Sequence, residues 1–305
     1  MRPSYFADLE GVVEFEYVEP KTVKEACSLL SQLKDKARVI AGGTQLLDAI
    51  RRKEISPQCL INLKSVPNLE YITYDDEEGL KIGALATLFE IGGSPLVNDK
   101  AKILAEAIQD REIKANRTRW AYYMATLGGS LSDATAAADI LPPLFLFRAK
   151  AVVEGPKGWK TVPLEELYAR SGEWVLQVDE VLVEIRIPAL PAESGVIYIK
   201  GEGTASAPTL RAATLLKLDA KHVDTEDFRI VVGGIGPTPV EPRGAEEIMK
   251  GKAIDNDLID ETIEAAAKEV STGADTETVE KAKDLIEEAI RQAVDLAIGD
   301  FALGY

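Results

Sequence analysis

The sequence predicts an α+β protein built from two or three packed units, and three observations carry that expectation. Its 305 residues exceed the roughly 100–200 of one compact domain. Short strand patterns that run into glycine turns are interleaved with amphipathic helical patterns before residue 190. Beyond the linker Pro188-Ala-Leu-Pro191 the texture changes, to one strand and then two long helices.

Taken in order, Thr22-Val-Lys-Glu25 reads as a capping box, and Val23, Ala26, Cys27, Leu30 and Leu33 share one helical face. Cys27 is therefore expected in the core rather than as a redox thiol. Arg38-Val-Ile-Ala41 is a short strand running into Gly42-Gly43-Thr44, and a helical pattern resumes over Gln45–Ile50. Leu80–Ala84 is a strand after the turn-rich Asp75–Gly79, and Leu85–Ile91 and Lys100–Ala107 read as helical. Ala125-Thr-Leu-Gly-Gly-Ser130 is a second glycine turn, followed by the small-residue stretch Ala134–Ala138. Val181, Val183, Ile185 and Ile187 alternate with Leu182, Glu184 and Arg186, a period-two strand stopped by Pro188. Phe228–Val232 is a strand entering Gly233-Gly-Ile-Gly-Pro237. Helical stripes then follow at Leu258, Ile259, Ile263, Ala266, Ala267 and Val270, and at Leu285, Ile286, Ala289, Ile290, Ala293, Val294 and Ala297.

Composition excludes several functions. Lys+Arg 35 against Asp+Glu 51 leaves a net charge of −16, which repels nucleic acid and anionic membranes. Two cysteines, Cys27 and Cys59, cannot hold an iron–sulfur cluster or a four-thiolate zinc, and the single histidine, His222, cannot form a histidine-rich metal centre. No apolar run approaches the ~18–20 residues of a membrane span, and Met1–Glu10 lacks a signal peptide's apolar segment. A soluble, cytoplasmic protein without a metal of its own is expected. No residue reads as a general acid, base or nucleophile.

The two Gly-Gly turns each end in a hydroxyl residue. Glycine lets the backbone touch a ligand and turns successive N–H groups toward one anion, so the pair could grip the halves of a pyrophosphate. Each could equally be only a tight turn. No GxxxxGK[ST] occurs, which excludes a P-loop. Gly201-Glu-Gly203 and Gly234-Ile-Gly236 begin like GxGxxG but reach Ser206 and Pro239 at the last position, so a Rossmann site is not expected.

Ala41-Gly-Gly-Thr-Gln-Leu-Leu47, Ile82-Gly-Ala-Leu-Ala-Thr87 and Ala125-Thr-Leu-Gly-Gly-Ser130, with Ala138-Asp139 and Pro142, together resemble the FAD-binding medium subunit of molybdenum hydroxylases, the xanthine dehydrogenase and aerobic carbon monoxide dehydrogenase type. Glu180–Pro188 and Gly233-Gly-Ile-Gly-Pro-Thr-Pro, with Glu246 and Gly251, resemble later segments in matching order. The resemblance implies a vanillyl-alcohol-oxidase-type FAD-binding domain of two lobes over residues 14–190 (about 14–70 and 71–190). A C-terminal α+β domain over 191–305 and an N-terminal extension of 1–13 complete the implied organisation. Ala41, Gly42, Gly43, Thr44 and Gln45 match the first FAD loop. Thr126, Gly128, Gly129 and Ser130 match the second, and Asp139 matches an acidic residue on the adenosine side. Leu182 falls where the family packs an apolar side chain near the flavin or adenine, and Lys200 matches a lysine near the flavin ring.

The function so implied is an electron-transfer oxidoreductase subunit with non-covalent FAD. A small partner subunit would carry [2Fe–2S] clusters and a large one molybdopterin, a heterotrimer that passes electrons to NAD, a quinone, ferredoxin or O2. The sequence departs from the pattern in three places. Tyr122-Tyr123 stand for a common Arg-Asn pair, Gln45 replaces a common Asp or Ser, and Gly201–Ala207 lacks an Arg-rich pattern. Two rival readings are an independent FAD-dependent oxidase or dehydrogenase and a flavin-free structural subunit.

Overall fold

The computed structural model describes residues 15–114, 119–133, 137–169, 171–191, 193–204, 207, 209–221, 223–272 and 274–302. The extension 1–13, part of the stretch Ala134–Ala138, Ser206 and His222 lie outside the described residues.

A small parallel sheet opens the chain: β1 (Glu16–Val18), β2 (Ala37–Ile40) and β3 (Cys59–Asn62), in the order β1-β3-β2. Alternate strand residues serve opposite faces. Ala37, Cys59 and Ile61 pack under α1 (Val23–Leu33) with Ala26, Cys27 and Leu30, while Ile40 and Leu60 meet Leu47 and Ile50 of α2 (Leu46–Arg51). Both faces are covered, as parallel sheets require. Thr22 caps α1 by accepting from the Glu25 N–H at 3.1 Å, and Cys27 is a core residue.

The second sheet is antiparallel, in the order β4 (Ile72–Asp75), β5 (Gly79–Gly83), β8 (Val181–Ile187), β6 (Lys150–Gly155) and β7 (Gly158–Pro163). Between β5 and β6 the chain forms α3 (Leu88–Gly93), α4 (Pro95–Lys100), α5 (Lys102–Lys114), α6 (Arg119–Met124), α7 (Leu127–Leu131) and α8 (Leu141–Leu146). The helix expected from Leu85 begins at Leu88 instead. Leu85 donates to the Leu69 carbonyl and Ala86 to that of Gly83, which closes a turn over Ala84 and Leu85 before the Thr87/Glu90 capping box starts α3. The helix expected from Lys100 is split at Ala101 into α4 and α5.

The alternation read in β8 changes phase midway. Val152 pairs with Glu184 and Val153 with Leu182, so Val183 is the extra residue of a β-bulge. Val181 and Val183 therefore face the core under α1, whereas Leu182, Ile185 and Ile187 face the core under the inserted helices.

The third sheet is an antiparallel meander of β9 (Ser194–Glu202), β10 (Thr209–Leu218) and β11 (Thr225–Gly233), with β10 central. One face (Ala212, Leu216, Ile230, Val232) packs on α9 (Arg243–Met249), α10 (Asn256–Val270) and α11 (Thr276–Ala302). The other (Ala213, Leu215, Val231) joins the core of the second sheet's helices. Asp255 caps α10 by accepting from the Leu258 N–H at 2.8 Å, and its stripe of Leu258, Ile259, Ile263 and Val270 is buried. Each such side chain contributes about 1.5–3 kcal/mol.

Candidate functional site

A cleft of about 440 Å3 opens where the β2–α2 loop meets the start of α7 and the bulged stretch of β8. Ala41, Gly42, Gly43, Thr44, Gln45, Thr126, Gly128, Gly129 and Leu182 all line it. The topology brings them together because β2 ends beside Met124–Thr126. Thr126 bridges to Thr87, and Leu88 donates to the Ala125 carbonyl at 2.8 Å.

The first glycine loop is a turn of the expected kind. Gly43 sits at φ 72°, in the left-handed region that glycine enters without strain. The N–H groups of Gly43, Thr44 and Gln45 have no hydrogen-bond partner among the described residues. Three successive donors at the entrance to a helix form a concave anion site.

The second Gly-Gly is not a turn. Gly128, Gly129 and Ser130 lie within α7, which Thr126 caps by accepting from the Gly129 N–H at 3.2 Å. Leu127 donates to Ala86 and Gly128 to Ala84, while Ser130 donates to Thr126. Of these backbone donors only that of Gly129, shared with the Thr126 hydroxyl, faces a side chain rather than another carbonyl. The two loops are thus unequal, and the β2–α2 loop holds the unpaired donors. Gln45 closes the distance between them: its Nε2 donates to Asp133 Oδ2 at 3.0 Å.

Much of the remaining lining is apolar, with Leu63, Leu85, Trp174, Leu176 and Val181 beside Leu182. Three charged residues also line it. Arg38 donates to the Asp35 and Ala37 carbonyls, and Glu180 pairs with Lys160 at 2.6 Å. An anion here is met by backbone dipoles rather than by a cluster of cations.

Ser130 is buried behind the cleft, and Asp139 and Lys200 are also outside its lining. Asp139 instead takes Lys200 at 2.9 Å and Arg211 at 2.6 Å, joining the segment before α8 to β9 and β10. Burial pushes the Asp139 carboxyl up, but the charge of Arg211 and the hydrogen bonds from Lys200 and Arg211 outweigh it and hold the group below its ordinary value. Tyr122 and Tyr123 pack on Phe89, with centroids 5.8 and 4.4 Å away, rather than lining the cleft. Sequence reasoning missed Ala84 and Leu85 as lining residues although they stand inside Ile82–Thr87. Trp174 and Leu176 carry no sequence signal at all.

Among the described residues, no group of three or more His, Cys, Asp or Glu is placed to hold a metal. Cys27 and Cys59 are buried free thiols, and burial raises both, Cys27 to about 11.

The family described as the FAD binding domain in molybdopterin dehydrogenase matches residues 13–190, and the CO dehydrogenase flavoprotein C-terminal domain matches 204–295. The carbon monoxide dehydrogenase medium chain of Hydrogenophaga pseudoflava is 31% identical over 83% of this chain and 85% of its own. The nicotinate dehydrogenase FAD-subunit of Eubacterium barkeri is 28% identical over 82% and 84%. Among solved structures, carbon monoxide dehydrogenase from Hydrogenophaga pseudoflava superposes with a TM-score of 0.78 at 27% identity, covering 93% of this chain and 98% of that one.

Proposed function

From the premise that this chain belongs to the family of FAD-binding domains of molybdopterin dehydrogenases, we propose that its cleft holds FAD non-covalently by the diphosphate and passes electrons as the medium subunit of a three-subunit complex. The relatives are FAD or medium subunits of molybdenum hydroxylases, and the chain is a flavoprotein subunit of that type. One observation carries the site assignment: the unpaired N–H groups of Gly43, Thr44 and Gln45 face a cleft of nucleotide size.

The donor set fits the cofactor. Gly43 holds the αL turn, Gly42 lets the loop approach α7, and Gly129 leaves room where a β-carbon would crowd the Thr126 hydroxyl. Leu182, Val181 and Trp174 would cover a flat ring and exclude water, and the Gln45–Asp133 hydrogen bond would span the diphosphate. Bound FAD supplies one- and two-electron redox chemistry, and the protein supplies binding, orientation and tuning. Asp139, Lys200 and Arg211 act on our reading through the seating of β9 and β10 beside the cleft.

The domain division at about residue 190, the cytoplasmic location and an acceptor drawn from NAD, a quinone, ferredoxin or O2 are parts of the same proposal. Its partners are a small [2Fe–2S] subunit and a large molybdopterin subunit. Mild purification tests the reading through the visible spectrum and the co-purifying chains. Flavin absorption near ~450 nm with two partner chains is expected. A chain that carries FAD alone and turns over a small substrate without iron or molybdenum would replace it with an independent flavoenzyme.

A further inference from the structure

The segment leading into β8 folds back on itself as a tight hairpin. Ala169 donates to the Glu173 carbonyl at 2.8 Å, Val175 donates to that of Leu167 at 2.9 Å, and Tyr168 bridges to Trp174. Near its tip Gly172 (φ 82°) lies against Pro237, where a β-carbon would stand 2.7 Å from the proline side chain. Held in this way, the hairpin delivers the Trp174 indole to the wall of the cofactor cleft.

The indole is braced from behind. It meets the Tyr168 ring in a T-shaped contact, with centroids 5.2 Å apart and planes at 74°. Tyr168 is buried, and its hydroxyl donates to the carbonyl of Leu131, the last residue of α7, at 2.6 Å. Burial and then the charge of Asp133 raise the Tyr168 phenol, which therefore stays protonated as the donor. Tyr168 can cover one face of the indole at most, and the half-buried ring lines the cleft with the rest.

These contacts set an order along one wall of the cleft. The N–H groups of Gly43, Thr44 and Gln45 come first. Asp133 follows, because Gln45 Nε2 donates to its Oδ2 at 3.0 Å. Just before it in the chain, Leu131 takes the Tyr168 hydroxyl, and Trp174 packs on that ring. Anion donors, a carboxylate and an aromatic face in succession match phosphate, ribose and base. A carboxylate has roughly four acceptor positions, so one that takes Gln45 can also take ribose hydroxyls. The flavin half fits this wall poorly. Its pyrimidine edge presents carbonyl oxygens and its reduced ring carries negative charge, whereas the carboxylates of the cleft, Asp133 and Glu180, only accept. Adenine offers an amino donor instead.

We propose that Asp133 and Trp174 form the adenosine subsite of the cleft, Asp133 accepting from the ribose hydroxyls and Trp174 stacking on the adenine, with Tyr168 as the residue that positions Trp174. The assignment rests on the reading of the cleft as an FAD site and adds which half of the dinucleotide lies at this wall.

The test is calorimetric titration of adenosine diphosphate into the full chain freed of flavin, followed by competition with FAD. Adenosine diphosphate should bind and be displaced by FAD. Its 2′-deoxy analogue should bind about tenfold more weakly, and Asp133→Asn, at an exposed position, should remove that preference. Trp174→Ala should weaken adenosine diphosphate and FAD by the same factor, about tenfold, while Trp174→Phe keeps most of the affinity. Tyr168→Phe should weaken both ligands on its own and add nothing on top of Trp174→Ala. FAD weakened in the Trp174 and Asp133 variants with adenosine diphosphate unaffected would put both residues at the flavin half and overturn the proposal. Normal FAD uptake without any adenosine diphosphate binding would overturn it too. A chain that binds adenosine diphosphate with these dependences yet takes up no FAD would keep the subsite and overturn the flavin reading alone.

Discussion

The main-chain carbonyl of Met124 closes directly over Gly42: a β-carbon built on Gly42 would stand 1.9 Å from that oxygen. The β2–α2 loop and the segment leading into α7 are therefore locked together at a point where only glycine fits. Gly42→Ala should force the two segments apart, lowering stability by about 2 kcal/mol in urea unfolding and reducing FAD occupancy with it.

Gly129 behaves differently. A β-carbon there meets only Thr126 Oγ1, at 3.0 Å, and otherwise points into open space at the cleft. Gly129→Val should keep the wild-type helical circular dichroism while lowering FAD occupancy, because the side chain fills ligand space rather than the core. Full flavin content in this variant would make the glycine merely structural.

FAD should leave the protein on denaturation. Covalent flavin links in this fold generally use His or Cys, and neither lines the cleft among the described residues. Cys27 and Cys59 are buried in the core below α1, where their raised pKa keeps them as thiols. Acid precipitation should place the yellow colour in the supernatant. Colour in the pellet would contradict this.

What could be read from the chain followed the strength of its local patterns. The first glycine loop, α1, β11 and the two C-terminal helices were legible because a cap, an αL glycine or an amphipathic stripe marks each of them. The strand β10 was not, because Ala213 and Leu215 pack on one side while Ala212 and Leu216 pack on the other. A strand covered on both faces has no polar–apolar alternation to find. The bulge at Val183 likewise has no signature in a run of β-branched residues. Gly128-Gly129 was misread as a turn since a short helix containing two glycines depends on tertiary contacts, here the carbonyls of Ala84 and Ala86, rather than on propensity. The cluster of Asp139, Lys200 and Arg211 joins residues far apart in sequence, and spacing alone cannot reveal such a meeting.

That cluster should govern acid stability. Side-chain exposures of 13% for Asp139 and Lys200 and 11% for Arg211 leave little water to screen it. Removing the carboxylate would strand two buried cations, so Asp139→Asn should cost about 3 kcal/mol at pH 7. A carboxyl held below its unfolded pKa stabilises the fold above that value of about 3.9. The contribution is lost as pH falls through the lower, folded value. The advantage of the wild type over the variant should thus begin to shrink below about pH 4 and go on shrinking as pH falls further. Denaturant titrations at pH 7 and pH 3.5 check this, and a constant difference between the two proteins would exclude the mechanism.

Glu241 should act with the opposite sign. Burial, then a hydrogen bond and like-charge contact with Glu165, push its carboxyl up to about 7, against the pull of Arg243, which reaches Glu241 at 3.4 Å and Glu165 at 3.5 Å. A carboxyl raised in the folded state binds its proton more tightly than the unfolded chain, whose value is about 4.3. Its contribution to stability is complete below that value and disappears as pH rises through about 7. Glu246, also raised by burial and steadied by Arg148, adds to the same trend. Glu241→Gln keeps the shape and a hydrogen-bonding amide while removing the charge that must be forced into this junction. The variant should melt with the wild type at about pH 4 and a few degrees above it at about pH 8. The gap between the two melting curves should open between about pH 4.3, where the unfolded chain gives up this proton, and about 7, where the folded state does, and stay constant above that. Parallel melting temperatures across that range would mean that Arg243 already compensates an ionised Glu241.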